Sequence, residues 1–185
     1  VKFYQDNQIT IYNGDCRQMS KISEESVQCV VTSPPYWGLR KYEGNQELIW
    51  GGDKDCEHQW GDSLGSINRK ESPGVGAKQE IEANQGNTCS LCGAWKGAYG
   101  LEPTPELYVQ HTVEILRELK RVLRKDGVVF WNIGDSYAGS GKYADPKYGE
   151  GRDNQPKGYR GDKIIKPKDL CLIPFRVAIA AQEDG

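Results

Sequence analysis

Two short runs of apolar residues constrain the fold of this 185-residue chain more than any other feature. Residues 27–32 (VQCVVT) and 128–133 (VVFWNI) have the length and the β-branched or aromatic composition of buried strands. The first run stops at Pro34-Pro35 and the second at Gly134-Asp135, because proline and glycine interrupt regular structure. Both runs therefore predict strands of the kind that a parallel sheet buries.

The segment before the second run predicts a long helix. Apolar residues recur there at helical spacing between residues 109 and 123. Thr104 is placed to cap the helix, Pro105 to occupy its first position and Asp126-Gly127 to end it. Strands that alternate with helices predict an α/β fold whose parallel sheet is covered on both faces.

Three further elements are predicted from weaker patterns. Residues 9–12 form a β-rich run, and residues 17–22 suit one or two helical turns. A last helix begins near Lys168-Asp169, with Pro174 bending it or marking its true start. The glycine-rich, polar residues 139–166 predict a loop.

Residues 51–100 differ in character from the rest of the chain and predict a small insertion. They are polar and aperiodic, and they contain Cys56, His58, Cys89 and Cys92 as two close pairs. Thiolate and imidazole ligands in such pairs are typical of a structural zinc site, and Gly93 permits the tight turn after the second pair. A redox Cys-x-x-Cys motif and unliganded thiols remain as alternatives.

The insertion also offers a second interpretation, contact with nucleic acid. Its basic residues Arg69, Lys70, Lys78 and Lys96 either touch DNA or belong to a solvated loop. The net charge of −2 gives no global basic field, but phosphate binding needs only a local basic face.

The sequence predicts neither a membrane span nor a secretory signal. No apolar run approaches the roughly 20 residues that a membrane span needs, and no secretory signal opens the chain. We therefore expect a cytoplasmic location, in a bacterial cell or a phage-infected host. We expect His111 to be packed or exposed rather than catalytic, and we expect Cys16, Cys29 and Cys171 to be small buried apolar residues.

The turn after the first strand carries the strongest chemical signal. An exocyclic amine on a base is a poor nucleophile, because its lone pair is delocalised into the ring. The hydroxyl of Ser33 and the carbonyl of Pro34 can accept its two N–H groups, which favours a pyramidal nitrogen with a free lone pair. Pro35 stiffens the turn, and Tyr36, with Trp37, offers a flat face for a base pulled out of the duplex.

These residues resemble a known family. Thr-Ser-Pro-Pro-Tyr at residues 32–36 is similar to the catalytic motif of the amino-group DNA methyltransferases, and its serine resembles the cytosine-N4 branch. Asn-Gly-Asp-Cys at residues 13–16 and the helix and strand at 116–137 resemble the neighbouring segments of the permuted, catalytic-motif-first (beta-type) class. The resemblance covers most of the chain outside residues 51–100.

The resemblance implies a Rossmann-like methyltransferase fold formed by residues 1–50 and 101–185, with double-stranded DNA as partner. S-adenosylmethionine is the implied cofactor, with Asp15 and Ser33 as its contacts. Asp135, after the second strand, either lines the site or caps a turn. The family's Phe-x-Gly-x-Gly cofactor loop is absent, so we expect an N-terminal fragment that is inactive alone.

Three other functions remain open at this point. The same chemistry on adenine N6 is close, since Ser-Pro-Pro-Tyr alone does not fix the base. Methylation of a protein glutamine or an RNA base is further off, because those motifs usually begin with asparagine. A non-enzymatic zinc module that binds nucleic acid is the alternative from a different class.

Overall fold

The computed structural model describes residues 2–61, 85–139 and 164–185. Arg69, Lys70, Lys78 and most of the predicted loop at 139–166 lie outside the described residues. Within these ranges the elements in chain order are β1 (Lys2–Gln5), β2 (Thr10–Tyr12), β3 (Val27–Thr32), β4 (Leu48–Trp50), a 3-10 turn (Gln85–Asn87), β5 (Trp95–Gly97), α1 (Pro105–Val122), β6 (Leu123–Trp131) and α2 (Ile173–Asp184). None of the described helices is both long and apolar enough to span a membrane.

Strands β3 and β6 pair in parallel, which confirms the predicted α/β arrangement with a parallel sheet. Val30 is opposite Val129 and Thr32 is opposite Trp131, and the Asn132 N–H donates to the Thr32 carbonyl at 2.9 Å. This register brings the carboxyl ends of both strands to one edge of the sheet. The antiparallel hairpin β1–β2 and the antiparallel pair of β4 with the sequence-distant β5 complete the described strand pairs.

Helix α1 begins where the sequence predicts and ends earlier. The Thr104 hydroxyl accepts the Leu107 N–H, and Pro105 occupies the first turn. The helix stops at Val122 rather than at Asp126-Gly127, because the N–H groups of residues 25 and 26 bind the last helical carbonyls, those of residues 121 and 122. The chain then extends directly into β6.

Only one face of the β3–β6 pair is packed, so the prediction of two buried strands covered on both faces was wrong for the described part of the chain. Val30 and Trp131 pack towards Ile115 and Leu119 of α1. On the opposite face Val31 is 77% exposed and Phe130 61% exposed. The described helices leave that apolar face open, although parallel sheets are normally covered on both faces.

Two of the three cysteines that we expected to be buried are exposed. Cys29 lies on the open face of β3 and Cys16 lies in the turn after Asp15, whereas Cys171 is buried as predicted. The expectation for Cys29 failed because the face to which it belongs has no described element packed on it.

Residues 17–22 form turns and not the predicted helical turns. Their backbone groups are used elsewhere, since the Arg17 N–H donates to the Asp15 carboxylate and the Met19 N–H donates to Glu118 of α1. An N–H that binds a distant side chain is lost to the helical hydrogen-bond pattern.

The β4–β5 pair packs on α1 through aromatic side chains. The buried His111 ring stacks on Trp50 at 4.5 Å and on Trp95 at 5.4 Å between centroids. Its Nδ1 lies 3.0 Å from Oε1 of the buried Glu102. His111 is thus packed, as we expected.

Helix α2 starts at Ile173, so Pro174 marks its first turn and does not bend it. Its N-cap residue, Leu172, has φ of 59° and no capping side-chain bond. The cap comes from Asp135, whose Oδ1 accepts the Ile173 N–H at 3.1 Å. Asp135 therefore joins the end of β6 to the start of α2.

We predict that Asp135→Ala lowers the free energy of unfolding by about 1 kcal/mol, the usual value of a helix N-cap. Asp135→Asn should lose less, because an amide oxygen can still accept the Ile173 N–H. Urea denaturation of both variants and the wild type measures the difference. Equal stability of Asp135→Ala and wild type would contradict the capping role.

Candidate active site and metal centre

The Thr-Ser-Pro-Pro-Tyr turn leaves β3 at the carboxyl edge of the parallel pair. Pro34 is buried, Tyr36 is half-buried and Ser33 is exposed. The Ser33 hydroxyl donates to the Tyr36 hydroxyl at 3.1 Å. Since open α/β sheets bind ligands outside the carboxyl ends of their strands, the turn lies where a substrate is expected.

Tyr36 lies directly against Gly134 at the end of β6. A Cβ atom added at Gly134 would lie 2.8 Å from Cδ2 of Tyr36, which is closer than such atoms approach. The two strand ends thus meet, and the absence of a side chain at residue 134 gives the tyrosine ring its position.

Trp37 is buried and does not have the exposed ring that the predicted stacking on a base requires. Its side chain is only 4% exposed, and its Nε1–H donates to the Glu102 carbonyl at 2.9 Å. A ring that is packed in the core offers no face to a base. Within the turn, this leaves Tyr36 as the aromatic residue available for stacking.

Asp15 is held by Arg17. The guanidinium of Arg17 contacts both carboxylate oxygens, with Nη2–Oδ2 at 2.7 Å and Nε–Oδ1 at 3.1 Å. Partial burial raises the pKa of Asp15, but the hydrogen bonds and charge of Arg17 outweigh it and hold this pKa below its usual value. Asp15 is thus an oriented carboxylate that is 28% exposed.

Arg17 also connects Asp15 to the β4–β5 pair. Its Nη1–H donates to the Ile49 carbonyl at 2.8 Å, and its guanidinium carbon lies 4.1 Å from the centroid of a Trp50 ring. The sequence analysis missed Arg17 and Trp50, because nothing in their local pattern indicates that residues 17 and 50 meet. Asp15 is connected to the β4–β5 pair through Arg17, and the hydrogen bonds described for its carboxylate go to Arg17 and not to the Ser-Pro-Pro-Tyr turn.

The structure brings the four predicted metal ligands together. The Sγ atoms of Cys56, Cys89 and Cys92 and a ring nitrogen of His58 all lie within 4.8 Å of one another. Cys56 Sγ lies 3.9 Å from Cys89 Sγ, and Cys92 Sγ lies 3.3 Å from His58 Nδ1. A tetrahedral zinc site separates its sulfur and nitrogen ligands by roughly 3.5–3.8 Å, given the usual zinc–ligand bond lengths.

The turn that carries the second pair has the geometry a metal knuckle needs. Gly93 has φ of 73°, as its predicted role in a tight turn requires, and the Leu91 N–H points at Cys89 Sγ at 3.4 Å. Gly52 lies so close that an added Cβ would sit 2.8 Å from Cys92 Sγ. The Ser90 N–H donates to the Gln59 carbonyl at 2.9 Å, so the backbones that carry the two pairs of predicted ligands are joined directly.

Two thiols of the cluster have opposite pKa shifts. Desolvation raises the pKa of Cys89, but backbone N–H groups and His58 outweigh it and lower this pKa to about 6. Desolvation and the neighbouring thiols raise the pKa of Cys56 to about 12. A lowered pKa favours the thiolate of Cys89, and the thiolate is the form that binds a metal.

Comparison with known proteins points in one direction. The family model N6_N4_Mtase, described as DNA methylase, matches residues 27–185. The chain is 31% identical over 184 residues to the type II methyltransferase M.XycI of Xanthomonas campestris pv. cyanopsidis, covering 95% of this chain and 42% of that protein. It is 30% identical over 187 residues to M.Cfr9I of Citrobacter freundii, covering 97% of this chain and 43% of that protein.

This chain belongs to the DNA methylase family.

The length of the match is also informative. The chain spans 42–43% of these two methyltransferases. A stretch of 91 residues is 51% identical to the type II methyltransferase M.MwoI of Methanothermobacter wolfeii, covering 49% of this chain and 10% of that protein. No solved structure matches the chain significantly.

In this member of the DNA methylase family, sequence patterns predicted the turn and the Cys/His cluster but missed the residues that support the turn. Beneath it lie Tyr108, which donates to the Pro35 carbonyl, and Glu102, whose backbone binds Trp37. Tyr108 falls on the buried face of α1, so its apolar spacing was the available signal. Spacing alone cannot show that its hydroxyl meets the turn.

Proposed function

We propose that this chain forms the catalytic-motif half of a DNA methyltransferase that methylates an exocyclic amine, most specifically N4 of cytosine. The proposal rests on the Ser-Pro-Pro-Tyr turn, which leaves a parallel strand beside Gly134 with the Ser33 hydroxyl exposed. Family membership supports the reaction type. The serine of the turn supports cytosine over adenine.

Ser33 is oriented to accept a hydrogen bond from an amine. Because its own hydrogen is donated to the Tyr36 hydroxyl, the lone pairs of its oxygen remain for an N–H donor. The Pro34 carbonyl takes the second N–H of the amine. Two acceptors fix both N–H groups and leave the nitrogen lone pair directed at the electrophile.

Tyr36 provides the stacking surface for the target base. A base inside the duplex cannot reach a pocket at a sheet edge, so it is extruded from the DNA. The tyrosine ring is held by Gly134 on one side and by the Ser33 hydroxyl at its tip. One side chain thereby positions both the base and the hydrogen-bond acceptor.

S-adenosylmethionine, the methyl donor of this family, would supply an electrophilic methyl group bound to a sulfonium sulfur. Asp15 suits the hydroxyl-bearing adenosine part, because its carboxylate is ionised, oriented by Arg17 and 28% exposed. The chain contains no Phe-x-Gly-x-Gly sequence, the cofactor loop of the family. Asp15 would therefore supply only part of the contacts to the cofactor.

Adenine N6 is the second candidate substrate, because the turn geometry suits either amine. A zinc-dependent module that binds nucleic acid without catalysis is the alternative of a different class. It would need neither Ser33 nor Tyr36, so the two functions separate on substitution of those residues.

We infer that Cys56, His58, Cys89 and Cys92 hold a zinc ion with a structural role. With all four ligands from the protein, such a site leaves no open position for a substrate. The ion would order the Cys/His segment (residues 51–61 and 85–97), which includes β5 and is flanked by β4. Trp50 of β4 and Trp95 of β5 are buried in the cluster that packs on α1.

We predict that Ser33→Ala and Tyr36→Ala each lower methyl transfer by the intact enzyme about 100-fold or more, as loss of a preorganised contact to a reacting group does. Ser26→Ala and Tyr4→Ala are matched controls at exposed positions away from the turn. Transfer of a labelled methyl group from the cofactor to DNA measures the rate. Near-normal rates for both turn variants, with folding intact, would refute the catalytic assignment.

We also predict one zinc ion per chain, measured by elemental analysis of the purified protein. Cys92→Ser should lose the metal and lower the melting temperature, because the binding free energy of a structural zinc contributes to folding. Cys16→Ser, outside the cluster, should retain both. Full zinc content in Cys92→Ser, or no zinc in the wild type, would rule out the site.

A further inference from the structure

A buried tyrosine binds the backbone of the catalytic turn. Tyr108 lies in α1 with no exposed side-chain surface, and its hydroxyl donates to the Pro35 carbonyl at 3.0 Å. The contact joins residues that are 73 positions apart in the sequence. A fully buried side chain thus holds the backbone of the turn from within the core.

Tyr108 itself has little freedom to move. Its ring stacks on Tyr99 with centroids 5.0 Å apart and planes 10° apart. The Tyr99 hydroxyl lies 2.6 Å from Thr112 Oγ1, and that same oxygen donates to the Tyr108 carbonyl at 2.8 Å. Desolvation raises the pKa of Tyr108 to about 12, so its hydroxyl keeps its proton and remains a donor.

A second close approach involves the same proline. Gly100 has φ of 92°, and an added Cβ there would lie 2.9 Å from Cβ of Pro35 and 3.3 Å from its carbonyl oxygen. The Gly38 N–H donates to the Gly100 carbonyl at 2.8 Å. Gly100 and the Tyr108 hydroxyl therefore both lie against Pro35 and restrict the orientation of the Pro35–Tyr36 peptide.

The consequence concerns the choice of acceptor. Two adjacent carbonyls, those of Pro34 and Pro35, are available in a Pro-Pro turn, and neither proline supplies an N–H that would compete for them. Tyr108 binds the Pro35 carbonyl and takes one of its two lone pairs. We therefore assign the incoming amine to the Pro34 carbonyl and the Ser33 hydroxyl, which belong to adjacent residues.

We propose that Tyr108 is a positioning residue for amine methylation, which orients the Pro35–Tyr36 peptide and leaves the Pro34 carbonyl as the acceptor for the target amine. This inference rests on the proposed function of the turn. It assigns to α1 a role in the reaction beyond packing.

Val122→Ala gives a stability control for Tyr108→Phe. Val122 is buried at the last position of α1, so its substitution removes core packing and keeps both the ring stack and the hydrogen bond from Tyr108 to the turn. In the intact enzyme we expect Tyr108→Phe to lower the single-turnover methylation rate about tenfold, the rate equivalent of one hydrogen bond. KM for DNA and for the cofactor should stay within about twofold, since binding contacts remain.

We expect Val122→Ala to lower the urea midpoint at least as much as Tyr108→Phe does and to keep the wild-type rate. Two results would overturn the positioning role, provided that Ser33→Ala still lowers transfer as predicted. One is a wild-type rate in Tyr108→Phe, and the other is an equal loss of rate in Tyr108→Phe and in the control variant. A wild-type enzyme without methyl transfer would overturn the proposed function together with this inference.

Discussion

The parallel pairing of β3 and β6 is the constraint on which the rest of the structure depends. Its register brings the Ser-Pro-Pro-Tyr turn and Gly134 to the same edge, where the Tyr36 ring rests on a residue without a side chain. A slip by one residue would turn the inward-facing Val30 and Trp131 to the open face. The position of the turn therefore follows from sheet packing on α1.

The Cys/His segment is joined to this core by aromatic and ionic contacts. Trp50 stacks on His111 of α1 and lies beneath the guanidinium of Arg17, which orients Asp15. The predicted cofactor contact is thus connected to the β4–β5 pair, which lies beside the Cys/His cluster. This arrangement gives the polar segment a structural connection to the proposed active site, in addition to any contact with DNA.

Local patterns predicted the features that depend on few residues. The cap at Thr104 and the pairing of Cys56 and His58 with the Cys-x-x-Cys turn need only short-range spacing or ligand chemistry. The early end of α1 and the hydrogen bond from Tyr108 to Pro35 could not be predicted, because both depend on residues that are distant in sequence. The open face of β3 escaped prediction because apolar composition reports the tendency to be buried and not the presence of a covering element.

The most direct test of the account is the identity of the methylated nucleoside. DNA treated with the intact enzyme and S-adenosylmethionine would be digested to nucleosides and analysed by mass spectrometry and chromatography. We expect N4-methylcytosine, formed on the amine for which Ser33 and the Pro34 carbonyl are the proposed acceptors. N6-methyladenine would contradict the choice of base, and methylation at cytosine C5 or no methylated base would contradict the amine mechanism itself.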